Sequence, residues 1–455
     1  MSPDSCNRSY YLCGICGIGM SALAQLIKSQ GFNVRGSDIS PQEEVERILY
    51  SQGIEVFHGH DGRRLKRNDT VIISEAIDRD NPEIREAENM GLKIWHRAQA
   101  LRYFLRDKKI IAITGTHGKT TTTYIIAKVL REILEEKVGM ILGGIALDYG
   151  NNFLPGKELY VVELDESDGS FLNFHPEIKV ITSVDCDHLE NYGDNFLMLK
   201  RSFEQFLTQG GVNILDEECI GVLDTPGIGV ISYGCGNVVN YQGEIVEKDL
   251  RGSKLHLYKD SKKVLKYHLP LIGYKLAINS LSVFAIGDLL GLDLNLIAEK
   301  IGVLKGVERR YEFKYLSPEI KLIEDYAHHP REISEVITTV KDYLRPQRLI
   351  VVFQPHRYTR TRYLWGDFRE CFKGSDVLLL TDIYHAFEKP IPGIESCRLA
   401  EEIKGVECIY VKKNNIPEHL LQMCKLGDII LILGAGDINK ISHLIVEKIK
   451  NVFNR

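Results

Sequence analysis

The sequence predicts a three-domain α/β protein, and three observations carry that expectation. Short β-branched apolar runs alternate with segments of helical period along the chain, the pattern of doubly wound, mostly parallel sheets. Two of these strands run straight into glycine-bounded turns, at residues 17–19 and 115–118. Near Gly306 the composition resets, and new strands end in His, Arg or Gly. A length of 455 residues suits about three domains. Their boundaries are expected at 1–105, 106–305 and 306–455.

In chain order, residues 10–16 read as an apolar strand entering Gly17, Ile18 and Gly19. A helix over 20–27 and a strand over 32–36, ending at Ser37 and Asp38, complete a βαβ unit. Such a unit holds a diphosphate on its helix N-terminus and a ribose hydroxyl on the acid about twenty positions on. This Rossmann-like pattern is shared by dehydrogenases and other nucleotide-binding folds, so alone it does not choose between them. Strands over 70–74 and 92–95 flank a helix near 82–90 and close the first domain near residue 105.

The second domain opens on an apolar strand, 109–114, then Gly115-Thr116-His117-Gly118-Lys119-Thr120, Thr121 and a helix from Tyr124. Strand, glycine-bounded loop, Lys-Thr and helix make a phosphate-binding loop for ATP. Backbone N–H groups wrap the phosphates, Lys119 reaches the β/γ-phosphates and the Thr120 hydroxyl sits on Mg²⁺. The general pattern has four residues between its glycines and this chain has two. Strands over 159–164 and 180–184 run into Glu163 to Asp168 and into Asp185, Cys186, Asp187 and His188. Oxygen-rich clusters beside such a loop suit a hard cation. Residues 237–270 read as an antiparallel meander, and 276–289 as one long helix.

The third domain alternates strands over 320–325, 348–354, 376–381 and 428–433 with helices, another Rossmann-like α/β domain. Tyr326, His328, His329, His356, Arg357 and Arg360 follow its strand ends and suit an anionic small molecule.

A net charge of −5 gives no global attraction to nucleic acid. No apolar run approaches the roughly 18 residues of a spanning helix, and the first residues lack a signal-peptide core. A cytoplasmic protein without membrane insertion is expected, as monomer or weak homodimer. Most of the ten cysteines lie in apolar runs. Cys13 and Cys16 are formally a C-x-x-C, but with no second pair they read as small buried residues.

The motifs together resemble the Mur ligases of peptidoglycan synthesis over nearly the whole chain. They are Gly36-Ser37-Asp38 with its glycine turn, the 115–123 loop, ELDESD at 163–168 and DCDH at 185–188. GVERRYE at 306–312, EDYAHHP at 324–330, FQPHRYTRTR at 353–362 and GAGD at 434–437 complete the set. Within the family they are most similar to the enzymes that join L-alanine to UDP-N-acetylmuramate. The resemblance implies ATP and Mg²⁺ as cofactors. It implies that Gly115, Thr116, His117, Gly118, Lys119, Thr120 and Thr121 bind ATP, with Asn279 on the adenine, Arg310 on the γ-phosphate and Asp325 on the ribose or on domain-closing contacts. Thr120, Glu163 and His188 would ligate magnesium, and Lys119, His188 and Arg310 would be catalytic. Gly17, Gly19, Ser37, Asp38, Ser74 and Arg97 would hold the UDP-sugar. Tyr326, His328, His356 and Arg360 would hold the amino acid.

The implied reaction is attack of a lactyl carboxylate on ATP, an acyl phosphate, and capture by the alanine amine, with His188 or His356 as candidates for its proton. Closure is expected about hinges near 104–108 and 304–308. Two residues depart from the family: Leu276 replaces an adenine-side asparagine, and Cys16 replaces a glycine of the first turn. A murein tripeptide ligase of cell-wall recycling and a catalytically silent nucleotide-binding homologue are the alternatives. A dehydrogenase would leave the phosphate loop unexplained.

Overall fold

The computed structural model describes residues 8–186, 189–193, 195–225, 227–386 and 388–453. Its strands form three sheets. The first is parallel, in the order β3-β2-β1-β4-β5, from β1 (Ser9–Cys13), β2 (Asn33–Asp38), β3 (Glu55–His58), β4 (Asp69–Ile73) and β5 (Lys93–His96). Helices α1 (Ile18–Ser29), α2 (Glu43–Ser51), α3 (Pro82–Asn89) and α4 (Arg97–Leu105) accompany it. The first strand is shorter than the apolar run suggests. It stops at Cys13 because Gly14, at φ +75°, turns the chain and its N–H donates to Ser37 O at 2.7 Å.

The second sheet has ten strands in the order β15-β14-β13-β12-β11-β10-β6-β9-β7-β8. They are β6 (Lys109–Thr114), β7 (Val138–Ala146), β8 (Asn151–Leu154), β9 (Leu159–Glu163), β10 (Ile178–Ile181), β11 (Val212–Asp216), β12 (Val230–Gly234), β13 (Tyr241–Asp249), β14 (Gly252–Lys259) and β15 (Lys262–Leu269). Parallel pairing of β6 with β9 and β10 brings the C-terminal ends of those three strands together, where open sheets collect ligands. Helices α5 (Lys119–Leu134), α6 (Phe196–Thr208), α7 (Glu217–Val222), α8 (Tyr274–Asn279), α9 (Leu281–Leu289) and α10 (Leu294–Ile301) belong to this part. The long helix expected over 276–289 is thus divided at Ser280. The Ser280 and Ser282 hydroxyls donate back to Ala277 O and Asn279 O, at 2.7 and 2.6 Å, which competes with the helical ladder.

The third sheet, β16-β17-β21-β18-β19-β20, comprises β16 (Glu312–Leu316), β17 (Lys321–Asp325), β18 (Arg348–Phe353), β19 (Val377–Leu380), β20 (Glu407–Tyr410) and β21 (Asp428–Leu433). Only β16 pairs antiparallel here. Leu349, Val351 and Phe353 bury on one face of β18, and Ile350 and Val352 on the other. A strand covered on both faces reads as an unbroken apolar run, as this one does.

The chain divides into two compact units. One contains residues 1–245, 255–269 and 275–307, and the other 246–254, 270–274 and 308–455. The first sheet lies in the first unit, as does the second apart from residues 246–249 of β13 and 252–254 of β14. There α1 packs on β7 and β8 around a buried amide network. Asn152 Nδ2 donates to Ile18 O at 2.7 Å and to Ser21 Oγ at 2.9 Å, and its Oδ1 accepts from Gln25 Nε2 at 2.9 Å. The segment 104–108 falls inside this unit, and 304–308 falls at its boundary.

Candidate active site

The phosphate loop is built by close approach. Gly115 has φ +131°, and a Cβ there would lie 2.5 Å from Thr182 Oγ1. Gly118 has φ +80°, and its Cβ would lie 2.8 Å from Asn279 Nδ2. Only glycine takes both the conformation and the space. The chain leaving β10 braces the loop: Ser183 O and Oγ accept from the N–H groups of Thr116 and His117, at 3.0 and 2.8 Å. Thr182 Oγ1 donates to His117 O at 2.6 Å, and Asp185 N–H donates to Thr116 Oγ1 at 2.9 Å. The His117 ring lies 3.8 Å from Asp185 Oδ2. Lys119, Thr120 and Thr121 form the first turn of α5, whose leading N–H groups lack intrahelical partners.

Thr120 Oγ1 donates to Glu163 Oε1 at 2.9 Å, and Gly143 N–H donates to Glu163 Oε2 at 2.8 Å. A hydroxyl and a carboxylate at hydrogen-bond distance beside a phosphate loop are hard oxygen donors of the kind Mg²⁺ shares with phosphate and water. The donor set fits that ion. His188, the other expected ligand, lies outside the described residues. Lys119 folds over its loop, donating to Gly115 O at 2.7 Å and pairing with Glu166 at 2.9 Å. Burial alone would lower its pKa, but the carboxylates of Glu166 and Asp165 outweigh burial and hold it raised.

Asn279 is fully buried. Its Oδ1 accepts from the Tyr233 hydroxyl at 3.2 Å, while its Nδ2 has no hydrogen-bond partner and faces Gly118. Leu276 is buried, and Lys275 beside it pairs with Glu218 at 2.7 Å and with Asp216 at 3.3 Å.

At the first glycine turn, Gly17 caps α1, and Asp38 Oδ2 accepts from Cys16 N–H at 3.0 Å. The Cys16 side chain points into the fold, where burial pushes its thiol up to about 12. Arg97 closes over Gly19: a Cβ there would lie 3.1 Å from its Nη1. Ser74 Oγ stands 3.8 Å from the corresponding point on Gly14. Ser37 is different, because its side chain lies inside the fold and donates to Glu83 at 2.6 Å. Burial would raise the Asp165 carboxyl, but the charge of Lys119, hydrogen bonds from Ser167 and the charge of Arg97 hold it lowered.

The C-terminal unit gathers its candidates at the ends of β17, β18 and β21. Both oxygens of Asp325 are taken by backbone, from Tyr311 N–H at 2.9 Å and Ala327 N–H at 2.8 Å. They pin a loop in which Arg309 and Tyr311 adopt φ of +55° and +49°. Arg309 donates to Gly434 O and Gly436 O, and Arg309 and Arg310 lie 4.9 and 5.3 Å from the Tyr326 ring centre. The His328 ring is 5.5 Å from Tyr326 and 5.9 Å from His356. His356 stacks on Tyr384 at 5.5 Å, and Arg360 Nη1 lies 3.4 Å from His356 Nδ1. Burial, with Arg360 adding its charge, pushes His328 down to about 4 and, together with His328, pushes His356 down to about 3. Both are neutral imidazoles near neutrality.

Three family models match in succession: the Mur ligase catalytic domain over residues 9–109, the Mur ligase middle domain over 113–287, and the Mur ligase glutamate ligase domain over 309–436. The chain belongs to the Mur ligase family. A UDP-N-acetylmuramate–L-alanine ligase of Caldicellulosiruptor saccharolyticus is 37% identical over 97% of this chain and 99% of its own. One of Dictyoglomus turgidum is 36% identical over 97% of both chains. The crystal structure of the Thermotoga maritima UDP-N-acetylmuramate–alanine ligase superposes with a TM-score of 0.82, at 31% identity, covering 97% of this chain and 99% of that one.

In this Mur ligase the sequence reading passed over several residues that shape the site. Thr182 and Ser183 brace the loop from a strand end whose polar residues look like an ordinary turn. Arg309 stands beside Arg310 in GVERRYE, but only the fold assigns it the carbonyls of the 434–436 loop. Tyr384 has no motif, and contact with His356 alone marks it. Glu166 lies in ELDESD, where nothing in the spacing selects it as the partner of Lys119.

Proposed function

We propose that the protein is an ATP-dependent, ADP-forming ligase that joins L-alanine to the lactyl carboxylate of UDP-N-acetylmuramate, a cytoplasmic step of peptidoglycan synthesis. One observation carries this reading. Lys119, Thr120 and Glu163 assemble at the C-terminal ends of β6 and β9, an ammonium, a hydroxyl and a carboxylate placed for a nucleotide phosphate and its cation. Full-length relatives that bear this ligase name support the choice of substrates.

On this reading the lactyl carboxylate attacks the γ-phosphorus, the bond to ADP breaks, and an acyl phosphate forms. The neutral amine of alanine then attacks the acyl carbon and phosphate leaves. Lys119 and the α5 N-terminus hold the transferring phosphates, and Arg310 is assigned to the γ-phosphate. Thr120 and Glu163 would hold magnesium, with His188 as the resemblance assigns it, and the ion would neutralise charge on the phosphate oxygens. Arg360 would pair with the alanine carboxylate, while the neutral imidazoles of His328 and His356 accept hydrogen bonds. Imidazoles whose pKa values lie near 3 and 4 are weak acceptors for an ammonium proton, which disfavours His356 for that step.

The test is phosphate release from ATP with Mg²⁺ and UDP-N-acetylmuramate against L-alanine, L-serine, glycine and a murein tripeptide. Release that needs both the sugar nucleotide and L-alanine is expected. Release with tripeptide alone would replace this reading with the recycling ligase, and silence from protein that binds ATP would replace it with a binding protein.

A further inference from the structure

The ammonium of Lys119 is fully engaged inside the protein. It donates to Gly115 O at 2.7 Å, lies 3.3 Å from Thr116 O, and meets the two carboxylate oxygens of Glu166 at 3.0 and 2.9 Å. A lysine has three donors, so a phosphate that binds Lys119 must displace one of these partners. The two carbonyls belong to the phosphate loop itself. Glu166 belongs to the turn after β9 and is 1% exposed. That turn is fixed, because Gly169 N–H donates to Glu166 O at 3.0 Å and the Tyr192 hydroxyl donates to the same oxygen. Among the described residues Glu166 Oε2 has no hydrogen-bond donor apart from the ion pair with Lys119.

We propose that Glu166 is a positioning residue that holds Lys119 in a resting place and competes with nucleotide phosphate for it. Removing one partner of a buried pair leaves a charge uncompensated, so the Lys119–Glu166 contact opposes the transfer of Lys119 to a ligand. The carboxylates of Asp165 and Glu163 also act on this ammonium, but among the described residues its ion pair is with Glu166. Competition has a definite sign: the intact carboxylate weakens nucleotide binding. The proposal rests on the reading of 115–121 as a phosphate loop.

The experiment is calorimetric titration of Mg-ADP into the full-length wild type, Glu166→Gln, Lys119→Ala and the double variant. Glu166→Gln keeps the size of the side chain and frees the lysine, and its affinity is expected to rise about tenfold. In the Lys119→Ala background the same change should shift affinity less than about twofold, because the competitor has nothing left to withhold. Unchanged or weaker binding by Glu166→Gln overturns the proposal, as does an equal gain without Lys119. Should Glu166→Gln fail to fold, Glu166→Asp withdraws the carboxylate by one methylene, and the absence of any gain there overturns it equally. Wild-type protein that binds no Mg-ADP would overturn the loop reading together with the proposal. Wild-type binding without a gain in the variants would overturn the proposal alone.

Discussion

Thr120 Oγ1 donates to Glu163 Oε1 at 2.9 Å, tying the first turn of α5 to the end of the adjacent strand β9. In the proposed site the bond would prearrange two oxygen donors for a nucleotide-bound cation. Thr120→Val keeps the shape and removes one donor. Phosphate release should fall about a hundredfold, the Mg²⁺ concentration for half-maximal rate should rise, and the melting temperature should stay close to wild type. Unchanged magnesium dependence would separate Thr120 from the metal.

Lys119→Ala removes the loop's only ammonium. Phosphate release is expected to vanish while the circular dichroism of the fold is retained, with a cooperative melting transition at lower temperature because Glu166 is left buried without its partner. Near-wild-type turnover would sink the assignment of ATP to this loop.

Gly118→Ala meets two obstacles, a left-handed φ of +80° and an amide 2.8 Å from the new Cβ. The conformation alone costs about 1–2 kcal/mol. Asn279 must also move, so Mg-ADP affinity measured by calorimetry should drop well beyond the loss in stability measured by urea. Equal losses would mean that the loop only folds less well.

Burial holds His328 down near 4, below the value of about 6.5 for an exposed imidazole. Between those values the unfolded chain binds the extra proton, so stability is complete above about pH 6.5 and declines as pH falls toward 4. The group contributes at most about 3.5 kcal/mol over that window, taking about 1.4 kcal/mol per pKa unit. A His328→Gln variant should show a flatter melting temperature between pH 6.5 and 4 than wild type. His356 lies lower still, near 3. Neither imidazole should produce an inflection in the turnover profile between about pH 6 and 8.

Asn152 is fully buried and uses its amide on Ile18, Ser21 and Gln25. Asn152→Ala strands these partners and should cost about 1–3 kcal/mol, seen as a lower urea midpoint at unchanged slope. A loss confined to local protection of α1 and β8 in hydrogen exchange would instead show that the two sheets separate before either unfolds.

The α/β class, the three sheets and the phosphate loop were legible in the sequence, because each follows from local rules. Buried parallel strands need continuous apolar residues, as over Arg348–Phe353. A loop that admits backbone so closely needs glycine at 115 and 118. A motif shared along the chain could name a chemistry before any distance was known. The weakly patterned elements α2, β3 and α4 were not legible, since polar helices and a four-residue strand carry little period. Relations between distant segments came from the packed fold alone. Glu166 reaches Lys119 across 47 positions, Ser183 reaches His117 across 66, and Arg309 reaches Gly436 across 127. The resemblance assigns Ser37 to the UDP-sugar, and the register of β2 turns its hydroxyl inward to Glu83. Sequence fixes which side chains exist and their local periodicity, whereas pairing of strands far apart in the chain decides which of them meet.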